Sequence, residues 1–128
     1  MITIAVFLMS FIVVAGPSSF KKLMKENLEV LRGNDETTNF DEIGNNFVKI
    51  ADANSNRFEP LYYSAYSYII GSWSTDNPAE KTQILEKAIN QINKGLELVP
   101  NNVSNSHALN GMIIIVGWGH VPLFQIYP

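Results

Sequence analysis

Two overlapping Ser-x-x-Lys patterns run from Ser18 to Lys21 and from Ser19 to Lys22. In serine acyltransferases this spacing places a lysine one helical turn from the serine, where its amine perturbs the hydroxyl group. The companion motifs of those enzymes are absent from the sequence, and both serines precede the apolar spacing of a helix. We therefore interpret them as helix-capping residues and expect no serine catalysis.

Metal and thiol chemistry are not indicated either. The two histidines, His107 and His120, lie outside any His-x-x-x-His pair or carboxylate motif of the kind that binds zinc. The chain contains no Cys, which excludes thiolate catalysis, Cys-ligated metal and disulfides. We expect no enzymatic activity, no metal site and no cofactor.

Four tyrosines, Tyr62, Tyr63, Tyr66 and Tyr68, lie within seven residues. One interpretation is that each of the four packs within a helical hairpin, with its ring buried and its hydroxyl group at the solvent-exposed edge. Aromatic side chains are also common anchors of binding surfaces. We expect at least one of the four to contribute to such a surface.

The charged residues are unevenly distributed along the chain. The formal net charge is −3, with 9 Lys and Arg against 12 Asp and Glu. This balance gives no basic footprint for nucleic acid, and the scattered Lys and Arg form no polybasic patch for a membrane surface. All charged residues lie between Lys21 and Glu97, so each uncharged end needs its own explanation.

An apolar run from Ile2 to Ala15 opens the sequence, interrupted only by Thr3 and Ser10. It is too short for a comfortable membrane-spanning helix, which needs about 20 residues, and it matches the apolar region of a secretory signal. We predict that residues 1–16 are a signal peptide and that the protein is exported, periplasmic or secreted. The alternative is an uncleaved apolar anchor or a buried N-terminal helix, and membrane contact is expected only through this segment.

Apolar residues at helical spacing form five further segments, and no strand alternation of useful length is present. The first begins at Ser18 or Ser19 and stops at Gly33, and the second has Asn39 as its cap. Pro60 lies in the first turn of the third. This third segment is apolar nearly all round, which predicts an inner position between neighbouring helices. Its main apolar stripe consists of Tyr62, Ala65, Tyr66, Ile69 and Trp73.

The fourth segment has the clearest stripe, and the fifth begins near Ser104. Asp76 or Asn77 caps the fourth, and Pro78 lies in its first turn. Gly95 interrupts the stripe at a cost of about 1 kcal/mol relative to Ala, so we expect it to pack closely against another helix. The stripe consists of Ile84, Leu85, Ala88, Ile89, Ile92, Leu96 and Val99. The five segments together predict an all-α fold of antiparallel helical hairpins.

The stretch AINQINKGLELVPNN resembles the second helix of a tetratricopeptide repeat. Ala88, Ile92 and Gly95 take the small, bulky and small positions of that helix, and Pro100 takes the repeat boundary. The preceding helix matches the first helix of the repeat less closely, because Ser64 replaces the usual leucine and the connection is longer. The resemblance spans 60 to about 115, less than half of the chain.

The resemblance implies a tetratricopeptide-like short solenoid of about five helices over residues 17–117, with the first helix of each repeat lining a concave groove. The matching groove positions are Glu59, Tyr62, Tyr66 and Ile69, and Tyr63 from the same cluster completes the expected partner-binding set. An aromatic groove with an acidic rim suits a peptide or an extended partner. We therefore expect a non-enzymatic scaffold that mediates protein–protein or peptide interaction in the cell envelope. The alternative is a helical bundle that binds a small apolar ligand or lipid beside the tyrosine-rich helix.

Residues 118–128 are expected to form an irregular apolar tail, because Pro122 is incompatible with a continuing regular helix. Three explanations for this uncharged end stay open. The tail wraps back on the domain, the apolar end forms a homodimer, or the sequence is an incomplete version of a longer repeat protein. The loss of pattern after Ile115 slightly favours the third.

Overall fold

The computed structural model describes residues 17–99 and 103–120, and within these ranges every regular element is a helix. The helices are α1 (Pro17–Arg32), α2 (Phe40–Ala53), α3 (Glu59–Ser72), α4 (Pro78–Leu98) and α5 (Val103–His120). Successive helices pack against each other, and α3 also contacts α5. The predicted all-α fold of antiparallel hairpins is confirmed. None of the helices in the described part of the chain combines the length and apolar character needed to cross a membrane.

Side chains at the helix starts explain where α2, α3 and α4 begin. The Asn39 side chain accepts a hydrogen bond from the Glu42 amide at 3.1 Å and caps α2. The Asn77 side chain accepts hydrogen bonds from two first-turn amides of α4, so Asn77 rather than Asp76 is the cap. Pro60 lies in the first turn of α3, where the missing N–H costs no helical hydrogen bond. These predicted starts are confirmed.

Two predicted boundaries differ from the structure. Helix α1 begins at Pro17, so Ser18 and Ser19 lie inside its first turn and do not precede it as caps. Helix α5 continues to His120, three residues beyond the boundary expected at 117. The expected boundary was based on Pro122, but a proline does not prevent a helix from continuing up to the residues just before it. The predicted signal peptide, residues 1–16, and the remaining tail, residues 121–128, lie outside the described residues.

Helix α3 lies between its neighbours, as its apolar sequence predicted, and it packs against α2, α4 and α5. Two groups of buried side chains surround it. The first group joins α1 and α2 and consists of Phe20, Met24, Leu31, Ile43, Phe47 and Ile50. The second joins α3, α4 and α5 and consists of Ala65, Tyr68, Ile69, Leu85, Ala88, Ile92, Leu109, Met112 and Val116.

The buried face of α3 differs from its predicted stripe. Trp73 is 66% exposed and Tyr66 is 40% exposed, whereas Ser64, Ala65 and Ser67 are fully buried. The Ser64 hydroxyl donates to the Gly44 carbonyl at 3.0 Å, and the Ser67 hydroxyl donates to the carbonyl of Tyr63. Because backbone carbonyls satisfy these hydroxyl groups, small polar residues can face a neighbouring helix at close range. The largest aromatic side chains of the stripe are therefore left at the surface.

Glycines lie at two close contacts between helices. A Cβ atom at Gly44 of α2 would lie 2.6 Å from Cδ1 of the Tyr68 ring on α3. A Cβ atom at Gly95 of α4 would lie 3.0 Å from Cδ1 of Leu109 on α5. The close packing predicted for Gly95 is confirmed, and its neighbour is the helix that follows it in the chain.

Candidate interaction grooves on helix α3

An open groove of about 340 Å³ lies between helices α3 and α5 and is named the α3–α5 groove. Three residues of the expected partner-binding set, Tyr62, Tyr66 and Ile69, line it together with exposed Trp73. Its remaining lining residues are Ile70 on α3 and His107, Ala108, Gly111, Met112 and Ile115 on α5. The groove therefore has one aromatic wall and one wall of small and aliphatic side chains.

A second groove, of about 390 Å³, lies between α3 and the C-terminal part of α1 and is named the α1–α3 groove. The α3 side chains that line it are Tyr62, Tyr63, Tyr66 and Ile70, and the other side is formed by Leu28, Leu31, Arg32 and Asn34. Tyr62, Tyr66 and Ile70 line both grooves. They are spaced four residues apart, which places them on one face of the helix. This tyrosine ridge thus separates two grooves on the same side of the molecule.

Ring–ring contacts fix two of the tyrosines. The rings of Tyr62 and Tyr63 meet edge to face, with centroids 5.2 Å apart and planes at 88°. Phe58 lies 5.8 Å from Tyr62, and Phe47 lies 5.7 Å from Tyr63, between ring centroids. Burial, together with the neighbouring tyrosines, raises the pKa of Tyr62 above its usual 10.0. The Tyr62 hydroxyl can act as both a hydrogen-bond donor and an acceptor.

Tyr68, the fourth tyrosine of the cluster, has a different place. It is buried against α2, and its hydroxyl donates to the side-chain oxygen of Asn45. The Lys87 ammonium group lies 5.3 Å from the Tyr68 ring centroid and 2.8 Å from a carboxylate oxygen of Asp41. Burial raises the pKa of the Tyr68 hydroxyl above 10.0. These contacts join α2, α3 and α4, so the role of Tyr68 is to position these helices.

The structure does not bring Glu59 together with the groove tyrosines. Glu59 is the first residue of α3 and lines neither groove, and its carboxylate lies 3.8 Å from the Arg57 guanidinium group. Arg57 in turn packs over the Phe20 ring at 4.6 Å. Both charges lie at the helix start, one turn from the ridge. The expected acidic rim of the groove is therefore not formed by this residue.

Several groove residues were missed at the level of sequence. Ile70, Met112 and Ile115 contribute apolar surface, and Gly111 leaves open space, since a Cβ atom there would meet nothing within 4 Å. The available signal was that α3 and α5 are both apolar nearly all round. Such helices expose whatever apolar side chains their neighbours do not cover, and Ile113, Ile114 and Ile115 of α5 are all exposed.

The electrostatics of the two grooves differ. Of the residues that the structure describes, no Asp, Glu, Lys or Arg lines the α3–α5 groove, and His107 is the only ionisable one in its lining apart from the tyrosines. The α1–α3 groove is lined by one cation, Arg32, among residues 17–99 and 103–120. Among the described residues no group of three or more His, Asp or Glu side chains is arranged to hold a metal ion. The chemistry that the grooves offer is burial of apolar side chains plus hydrogen bonding to tyrosine hydroxyls.

Comparison of the chain with protein-family models, with curated proteins and with solved structures found no match. The interpretation of these grooves therefore depends on their own geometry and chemistry.

Proposed function

We propose that this protein is a non-enzymatic helical scaffold that binds an extended peptide segment of a partner protein along α3. The observation that carries the proposal is the tyrosine ridge, which is shared by two adjacent grooves on one side of the molecule. A peptide that crosses the ridge reaches both grooves at once. The ridge contains Tyr62 and Tyr66, two of the four groove positions that the tetratricopeptide resemblance implies.

The side chains of the grooves are those that give peptide-binding sites their affinity. Tryptophan and tyrosine dominate the energetic hot spots of interfaces. Tyr66 of α3 and Trp73, the residue that follows α3, are both exposed. Their rings bury a large area with few rotatable bonds, which keeps the entropic cost of binding small. The uncharged lining of the α3–α5 groove favours partner side chains that are apolar rather than acidic or basic.

A second candidate function is binding of a small apolar ligand or lipid in the α3–α5 groove. The observation that favours it is the aliphatic wall of that groove, formed by Met112 and Ile115. Apolar clefts of a few hundred Å³ are typical of small-molecule sites. A stoichiometric apolar molecule that co-purifies with the protein and is detected by native mass spectrometry would favour this candidate over the peptide scaffold.

The test of the scaffold is selection of peptides from a displayed library on the immobilised full chain. Binding of the selected peptides is then measured by fluorescence anisotropy for wild type, Tyr66→Ser, Trp73→Ser and the control Val30→Ser. Val30 is also exposed and apolar, but it lies on α1 and lines neither groove. We expect the two groove variants to weaken binding about tenfold or more, equal to about 1.4 kcal/mol, while Val30→Ser binds like wild type. Equal affinity in all four proteins would place binding elsewhere.

A further inference from the structure

Arg32, in the last turn of α1, brings a positive charge into the lining of the α1–α3 groove. Its guanidinium group forms no ion pair with any residue that the structure describes. The preceding acid on α1, Glu29, is close by in sequence, but its carboxylate lies 3.8 Å from the Lys25 ammonium group. The described helices therefore supply no counter-charge for Arg32.

Tyrosine hydroxyl groups are the second polar component of this groove. Tyr62, Tyr63 and Tyr66 line it. Within residues 17–99 and 103–120, none of their hydroxyl groups is hydrogen-bonded to another side chain or to the backbone. Each hydroxyl can donate one hydrogen bond. The groove thus combines a guanidinium group and hydroxyl donors with the apolar side chains of Leu28, Leu31 and Ile70.

A carboxylate fits this combination of donors. The planar guanidinium group of an arginine pairs with both oxygens of a carboxylate, and a tyrosine hydroxyl can donate to the same group. Among the described residues no Asp or Glu lines either groove, so an incoming carboxylate meets no like charge there. The chain as a whole has a formal net charge of −3, which does not attract acidic partners. Any preference for a carboxylate must therefore arise locally, at Arg32.

We propose that the partner peptide carries an acidic side chain, Asp or Glu, that pairs with Arg32 in the α1–α3 groove, and an apolar side chain that fills the α3–α5 groove. The inference rests on the proposed function, since it specifies the peptide that crosses the tyrosine ridge. The ridge separates a groove with a cation from a groove without one. A reversed peptide would place its carboxylate in the uncharged groove, where it loses water and gains no counter-charge. The pair of grooves therefore selects both the sequence of the peptide and its direction.

Peptides selected from a displayed library on the immobilised full chain provide the test. Each is synthesised with an amidated C-terminus, so that its acidic groups are side chains, and as a matched peptide in which Asn or Gln replaces the acidic residue. Fluorescence anisotropy measures the affinity of both peptides for wild type, Arg32→Gln and the control Lys49→Gln. Lys49 is an exposed cation on α2 that lines neither groove and has no ion-pair partner in the described part of the chain. The two variants thus change the net charge equally.

We expect wild type and Lys49→Gln to bind the acidic peptide about three- to fivefold more tightly than the matched amide peptide, as for an exposed ion pair. Arg32→Gln should bind the two peptides equally. Arg32→Glu should prefer a peptide with Lys in place of the acidic residue, a reversal that a purely structural role at the end of α1 would not produce. An acid preference that persists in Arg32→Gln would overturn the inference. Selection of peptides without acidic residues would also overturn it, as would loss of binding on C-terminal amidation, which would identify a terminal carboxylate as the ligand.

Failure of the inference is distinguishable from failure of the proposed function. If Tyr66→Ser weakens binding but Arg32→Gln keeps the acid preference of wild type, the peptide scaffold stands and the role of Arg32 is wrong. If neither variant changes the affinity of either peptide, or if no peptide is selected, both proposals fail. Circular dichroism of the variants establishes that they are folded.

Discussion

The ring of Tyr68 on α3 lies directly on Gly44 of α2, with no room for a side chain between them. The same stretch of α2 receives two hydrogen bonds from α3, from Ser64 to the Gly44 carbonyl and from Tyr68 to Asn45. Because Gly44 has no side chain, the Tyr68 ring can pack directly against the backbone of α2. The hydroxyl groups of Ser64 and Tyr68 are both hydrogen-bonded to α2 at this contact.

Gly44→Ala should destabilise the protein. A Cβ atom at this position overlaps the Tyr68 ring, and overpacking of a filled core costs about 1–3 kcal/mol. Gly111→Ala is the matched control, because its added methyl group enters open space and alanine is favoured over glycine in a helix by about 0.5–1 kcal/mol. Denaturant unfolding measures both. A Gly44→Ala protein as stable as the Gly111→Ala protein would mean that the Tyr68 ring moves aside without cost.

Gly95→Leu should destabilise the α4–α5 contact by about 1–3 kcal/mol, because Leu109 already fills the space beside Gly95. Leu109→Ala creates a cavity and is also expected to destabilise the protein, by about 2–5 kcal/mol. The double variant should be more stable than the sum of the two effects predicts, since the new leucine can enter the vacated space. Additive effects of the two substitutions would show that the side chains do not share this space.

The stability of the protein should fall at alkaline pH in a manner that depends on Tyr68. Burial raises the folded-state pKa of Tyr68 above its ordinary 10.0. The stabilising contribution is therefore complete below pH 10.0 and is lost as the pH rises through the folded-state pKa. Unfolding free energies measured across this range should decrease more steeply for wild type than for Tyr68→Phe. Parallel curves for the two proteins would contradict the assignment.

Export should remove the apolar N-terminal segment and leave the helical domain intact. Helix α1 begins at Pro17, so cleavage after Ala15 or Gly16 would separate the predicted signal from the first helix. N-terminal sequencing of exported protein should begin at Gly16 or Pro17. Exported protein that retains Met1 would show that the segment is an uncleaved anchor.

Local signals in the sequence were sufficient for the order of the helices and for most of their starts. Asn39, Asn77 and Pro60 act within one helical turn, so their effect can be recognised without knowledge of distant contacts. The buried face of α3 could not be recognised in this way. It depends on carbonyl groups of α2 and of α3 itself that accept hydrogen bonds from Ser64 and Ser67, and hydrophobic spacing alone assigns serine to the surface.

The candidate site was also predictable only in part, because part of it depends on contacts between helices. The tyrosine cluster identified the correct helix, and Tyr62, Tyr63 and Tyr66 do line grooves. Trp73 was assigned to the packed stripe, yet it lies in a groove wall and is exposed, because none of the five described helices covers it. Which apolar side chains stay exposed is decided by where α1 and α5 pack, and that is a property of the assembled helices.

The ion pair between Asp41 and Lys87 affects which contacts are lost when the first two helices are removed. It joins α2 directly to α4 across 46 residues, so two helices that are not neighbours in the chain are linked around α3. In a simple solenoid each hairpin contacts only the next, and terminal hairpins can be lost one at a time. Here the departure of α1 and α2 also strips Lys87 of its carboxylate and Tyr68 of its Asn45 partner. A shortened chain that begins at α3 would therefore lose polar partners of Lys87 and Tyr68 in addition to the two deleted helices.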